Sequence, residues 1–168
     1  MSGTMRTGVT IVAAIFLAAV STAQDDVKKK PAEPRFGFSV DDDLYPQKTP
    51  AETMKAIVTA YDRRRVDYLL AQLIDPAYVD YWVNQYKQEF TAGKDEGRRL
   101  LAFERLTRET NLYYQNDPLI VKDLRVFAKD AKWTDEGDTA VGAVESIPAR
   151  KVFMKKIGER WFLENRQQ

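Results

Sequence analysis

Apolar positions recur with helical spacing through the first two thirds of the chain and give way to short, strand-like runs near its end. In "TPAETMKAIVTAYDRRRVDYLLAQLIDP" (residues 49–76), Met54, Ile57, Val58 and Tyr61 fall at i, i+3, i+4 and i+7, the spacing of one helix face. Thr49 is placed to cap that helix, Pro50 suits its first position, and Glu52 completes a capping box. Val66, Leu69, Leu70, Leu73 and Ile74 repeat the pattern until Asp75-Pro76 stops it. Extending the first face beyond Tyr61 would need apolar residues near 64 and 65, and both are arginine. The chain is therefore expected to turn at residues 62–65, joining two short helices that bury different faces.

Residues 77–115 keep a helical character. Tyr78, Tyr81, Trp82 and Tyr86 form an aromatic stripe, Gly93 and Gly97 loosen the middle, and a second run carries Leu100, Leu101, Phe103, Leu106, Leu112 and Tyr113. Asn116-Asp117-Pro118 then breaks the helix. Beyond it, "LIVKDLRVFAKDAKW", "DTAVGAVESI", "ARKVFMKKI" and "RWFLEN" are short, rich in Val, Phe and Trp, and separated by turn residues. They predict four strands of an antiparallel meander. A two-residue turn at Gly158-Glu159 would place Val152, Met154, Lys156, Trp161 and Leu163 on one face. Phe153, Lys155, Ile157, Arg160 and Phe162 would share the other. Both faces carry large apolar groups, so one is expected to cover the helices and the other to meet a partner, with a homodimer as the simplest case. Helices first and a meander last make an α+β domain with helices packed on one face of a curved antiparallel sheet.

The segment ahead of residue 49 lacks any such period. Residues 9–20, "VTIVAAIFLAAV", are uncharged and apolar, but fall well short of the roughly 20 residues a spanning helix needs. Arg6 precedes them, and Ser21 and Ala23 supply the small side chains of a signal-peptidase site. A signal peptide over 1–23, cleaved after Ala23, is expected, with export to the periplasm or the medium and no membrane attachment afterwards. Residues 24–48 hold clustered charges and three prolines and are expected to form a disordered or loosely docked leader. Its aromatic residues Phe36, Phe38 and Tyr45 are available to dock on the domain at 49–168. The run Asp41-Asp42-Asp43 lacks the spacing of a calcium loop and is read as a solvated turn.

Composition narrows the chemistry. The chain has 168 residues and neither histidine nor cysteine, which removes triad catalysis, thiolate chemistry and the usual zinc sites. No metal or cofactor is implied. Loss of 1–23 would take one of the 26 basic residues, Arg6, and leave 25 against 25 acidic ones. A balanced charge gives no support for a nucleic-acid partner.

Two stretches carry a resemblance. Residues 49–76, with a helix ending in Tyr, a polar step and a second helix stopping before Pro, look like the opening helix pair of the NTF2-like superfamily. "ARKVFMKKIGERWFLEN" looks like its closing hairpin, with a Gly-x-x-Trp turn. The resemblance, to the SnoaL and ketosteroid-isomerase-like cone, implies a concave sheet wrapping a pocket lined by helices, often with dimerisation through the sheet. Family enzymes such as ketosteroid isomerases and scytalone dehydratases place Asp, His and Tyr in that pocket, but no motif here transfers a catalytic residue. Other members bind a small molecule or a protein.

The expected function is therefore that of an exported, non-catalytic binding domain for a small apolar ligand or a protein partner. Tyr61, Tyr78 and Trp82 are candidates for the mouth of the pocket, with Trp133 or Trp161 closing it from the sheet. The alternative is an isomerase or dehydratase using a buried Asp and a Tyr hydroxyl. Asp62, Asp67 and Asp80, beside Tyr61, Tyr68 and Tyr81, supply those groups. Arg63, Arg64 and Arg65 are read as a solvated corner rather than an anion site.

Overall fold

The structure, a computed structural model, describes residues 34–166. The expected signal peptide and residues 24–33 lie outside them. Helix α1 spans Pro50–Asp62 and opens with the capping box: Thr49 Oγ1 accepts from Glu52 N, and the Glu52 carboxylate accepts in turn from Thr49 N. Its end explains the arginines. Arg64 N donates to Tyr61 O and Arg65 N to Ala60 O, both at 2.8 Å. That pair of bonds is a Schellman cap, which asks for a left-handed residue between them, commonly glycine. Arg64 takes that place, with φ 58°. The chain turns, and α2 (Val66–Tyr68) runs straight into a π-helical turn, Leu69–Leu73.

Asp75 caps α3 (Pro76–Lys87), with Oδ1 accepting from Ala77 N. Helix α4 covers Asp95–Asn116 and α5 covers Pro118–Asp130. The last of these corrects the expectation of a strand over "LIVKDLRVFAKDAKW". Asp117 Oδ1 accepts from Leu119 N, Pro118 opens the helix, and Val121, Leu124, Phe127 and Ala128 turn one apolar side inward at helical spacing. The β-branched residues there satisfy strand composition, but the cap and the period decide for helix.

Strands β1 (Lys132–Glu136), β2 (Thr139–Ala143), β3 (Lys151–Ile157) and β4 (Arg160–Glu164) form a four-stranded antiparallel sheet in chain order. Ile157 pairs with Arg160 and Met154 with Leu163, the register expected from the two-residue turn. Gly158 supplies that turn's left-handed position at φ 63°. Met154 is fully buried and Trp161 nearly so on the inner face, above Met54, Ile57, Leu69, Leu73, Val79 and Val83 of the helices. On the other face the aromatic groups are covered from within the chain: Arg160 lies over Phe162 and Arg166 over Phe153. Ile157, 42% exposed, is the large apolar side chain left open there.

The two sheet edges are treated differently. β1 is almost entirely exposed and carries Lys132, Asp135 and Glu136, charges that discourage edge pairing. β4 is covered. Ile74 bridges Leu163 and Asp75 N donates to Leu163 O at 2.9 Å. Further along, Trp161 N donates to Gln47 O at 2.9 Å and Gln47 Nε2 donates to Trp161 O at 2.6 Å. The described part of the leader, 34–48, is thus packed as a strap. Phe36 stacks on Phe103 at 4.1 Å and Tyr45 on Tyr68 at 4.2 Å, and Asp41 N donates to the Tyr68 hydroxyl. Among the described residues no helix is long and apolar enough to cross a membrane.

Gln47 is buried, and its Oε1 also accepts from the Arg160 guanidinium. Gln47→Ala leaves that cation and the Trp161 carbonyl short of partners. The expected cost is about 2 to 3 kcal/mol of unfolding free energy, read as a lower urea midpoint with unchanged slope.

Candidate functional site: an aromatic groove between helices and sheet

Helical spacing puts Tyr78, Trp82 and Tyr86 of α3 one above another, since residues four apart share a face. Their rings follow in contact, with centroids 6.4 Å apart for Tyr78–Trp82 and 5.8 Å for Trp82–Tyr86. Helix α4 brings Tyr113 and Tyr114 to the same space, α5 adds Ile120 and Leu124, and Val152 and Leu163 come from the sheet. The groove between these walls holds about 620 Å³. That is within the range of small-molecule sites, roughly 300–1,000 Å³.

Its polar groups sit in two places. The Tyr86 hydroxyl donates to the Glu109 carboxylate, which also accepts from Arg105 Nε at 2.9 Å. Arg105 lies over the Tyr86 ring, 4.4 Å from its centroid, and reaches Glu89 as well. The hydrogen bond to Glu109 pushes the Tyr86 phenol up to about 12, and the same bond, followed by Arg105, holds Glu109 below the usual carboxylate range. At the other end, Glu164 pairs with Arg166 at 2.9 Å.

Tyr114 differs from the rest. Burial pushes its phenol up to about 12. It meets Tyr61 edge-on at 5.4 Å, and its hydroxyl has no hydrogen bond among the described residues. A half-buried phenol donor beside an apolar groove suits a ligand that brings an acceptor.

Of the candidates read from sequence, Tyr78 and Trp82 line this groove. Tyr61 lines a separate groove and reaches this one only through its contact with Tyr114. The structure does not bring Trp133 or Trp161 to it. Trp133 lies flat over Gly142, where an added Cβ would stand 2.9 Å from the indole. Trp161 is buried in the core, with its backbone held by Gln47. The sequence reading missed Tyr114 and Glu109 altogether. They continue the α4 face that carries Leu106 and Tyr113, a spacing that was available to find them.

The three Asp-Tyr pairs of the enzymatic alternative lie elsewhere. Asp62 pairs with Arg125 at 2.7 Å, Asp67 with Arg65 at 3.0 Å, and Asp80 with Arg35 at 2.8 Å and Arg99 at 3.3 Å. Tyr81 is 56% exposed. Asp75, buried, is spent as the cap of α3. Among the described residues no cluster of three or more His, Cys, Asp or Glu side chains could hold a metal ion.

Both raised phenols ionise later in the folded chain than unfolded. Their contribution to stability is therefore complete below about pH 10 and is lost as the pH rises toward 12. Glu109, held low, has the opposite sign: its contribution is present above the unfolded value and lost on acidification. An absorbance titration of tyrosinate should show Tyr86 and Tyr114 late, alongside Tyr68, which burial also raises, and Glu109→Gln should return Tyr86 toward about 10 while Tyr114 stays late. A set of late phenols unchanged from the parent chain in that variant would contradict the Tyr86 assignment.

Comparison with known proteins finds no matching family model, no matching curated protein and no matching solved structure.

Proposed function

We propose that this chain is a non-catalytic binding domain of the NTF2-like cone type, taking a small, largely aromatic apolar ligand in the groove walled by Tyr78, Trp82, Tyr86, Tyr113 and Tyr114. The observation that carries the reading is convergence: two helices adjacent in sequence each turn a run of aromatic rings toward one space of about 620 Å³. The bent opening helix pair, the closing hairpin and a groove held between helices and sheet support the cone architecture. Tyr114 adds a preference for a ligand with one hydrogen-bond acceptor.

The isomerase or dehydratase alternative asks for a carboxyl with a raised pKa. Glu109, beside the groove, is shifted the other way by Tyr86 and Arg105, so the binding reading is preferred.

Titration with the neutral probe N-phenyl-1-naphthylamine is expected to quench tryptophan fluorescence saturably. Trp82→Phe should remove most of that response, whereas Trp133→Phe and Trp161→Phe keep it. Quenching that never saturates, or that survives Trp82→Phe, overturns the site.

A protein-partner role through the outer sheet face draws less support. The chain's own arginines cover Phe153 and Phe162, and Ile157 alone of the large apolar groups stands open among the described residues of that face. Light scattering at tens of micromolar is expected to return the mass of one chain. A doubled mass would instead favour the homodimer.

A further inference from the structure

A second groove, of about 1170 Å³, runs along the opposite side of α4. Its long wall is an α4 face that changes character: Leu100 and Phe103 at one end, then Thr107, Arg108, Asn111 and Gln115. At 1.5 Å per residue those positions span about 22 Å. Phe36 and Phe38 of the strap close the apolar end, and the 62–65 corner supplies Arg64.

Two observations single this groove out. The first is strain. Phe36 at φ 51° and Arg64 at φ 58° are the non-glycine residues with left-handed backbone among those described, and both line this one groove. Each such position costs on the order of 1–2 kcal/mol relative to glycine or a relaxed backbone. Phe36 has a visible return, its ring stacked on Phe103 and topped by Arg99 at 4.8 Å. Arg64 has none: its side chain makes no ion pair or hydrogen bond among the described residues.

The second is charge. Asp62 is taken by Arg125, and Asp67 by Arg65 and the backbone N–H of Tyr68. Arg108, like Arg64, has no ion pair or hydrogen bond among the described residues. Among the described residues, two guanidinium groups without an ion pair therefore face one carboxylate without one, Glu104, on the walls of a groove whose far end is aromatic, Arg108 acting otherwise only through its charge on Glu109.

We propose that this groove binds a single-chain amphiphile with an anionic head, its carboxylate or phosphate held by Arg64 and Arg108 and its apolar chain laid over the exposed Leu100 toward the half-buried rings of Phe36 and Phe38. Guanidinium groups suit either head, because both oxyanions accept paired N–H donors. The site is independent of the aromatic groove, and neither proposal needs the other.

The test is calorimetric titration of the full chain with decanoate, decyl phosphate, decanol and inorganic phosphate, all below micelle concentrations. Decanoate and decyl phosphate should each saturate one site, with decanol and inorganic phosphate at least about tenfold weaker, one charge-assisted bond's worth of discrimination. The double variant Arg64→Gly, Arg108→Gln should bring decanoate down to the affinity of decanol. Glycine suits the Schellman position, so Arg64→Gly alone is expected to raise the thermal midpoint, which separates lost binding from lost folding. Decanol binding as tightly as decanoate, inorganic phosphate as tightly as decyl phosphate, or unchanged decanoate affinity in the double variant would each overturn the proposal. So would loss of decanoate binding in Trp82→Ala, which would place the ligand in the aromatic groove.

Discussion

The fold turns on how the last strand is finished. An exposed edge of β4 would leave backbone groups unpaired and open to any passing strand. Here the edge is met by two segments far away in sequence, Gln47 of the strap and Ile74-Asp75 after the π-turn. Arg160 joins them. Its guanidinium donates to Gln47 Oε1, to Gln72 Oε1 and to the Gln72 carbonyl at 3.1 Å, neutral acceptors throughout. Burial pushes Arg160 below its ordinary value, with the charge of Asp42 opposing that shift. A partly buried cation met by three amide oxygens is costly to disturb, because losing one acceptor leaves charge without solvation. That network ties strap, π-turn and sheet together.

The grooves follow from it. Pairing at Leu163 fixes Asp75, and Asp75 starts α3, so the direction of the Tyr78–Trp82–Tyr86 stripe is set by the same edge. The extra residue that a π-turn accommodates allows Ile74 N to reach back to Leu69 O at 3.1 Å before the chain leaves for the bridge. On the other side, the strap that reaches Gln47 has already placed Phe36 on Phe103. One constraint thus supports a wall in each groove.

How much of this was legible depends on the range of the interaction that decides it. The α1 cap, the break at 116–118 and the β3–β4 register rest on neighbours a few residues apart, and local spacing read them correctly. The 62–65 corner was read from a missing apolar face, without the glycine that usually marks a Schellman cap. Helix α5 escapes local reading because Ile120, Val121 and Val126 match strand composition, while Asp117-Pro118 both stop α4 and start α5. Gln47 gave no signal at all: its partner lies 114 residues away. For the site, Tyr78 and Trp82 could be found from one helix alone. Trp133 could be judged only once the register set Gly142 opposite it, and Tyr114 only once α4 and α5 had closed around it.

Helix α4 brings these threads together. It has 22 residues, yet only Ala102, Phe103 and Leu106 are buried. A helix so little buried needs other support. It has Asp95 and Glu96 at its positive end, the Arg105–Glu109 pair on its surface, and the Phe36 ring against Phe103. Much of its remaining surface faces one groove or the other: Thr107, Arg108, Asn111 and Gln115 on one side, Glu109, Thr110, Tyr113 and Tyr114 on the other. Tyr113, on the wall of the aromatic groove, is 60% exposed, although α5 starts immediately after the helix. A core helix would have buried such a residue against a neighbour. A partition between two open grooves has to leave it uncovered, and that division of faces is the physical ground for looking to α4 for function.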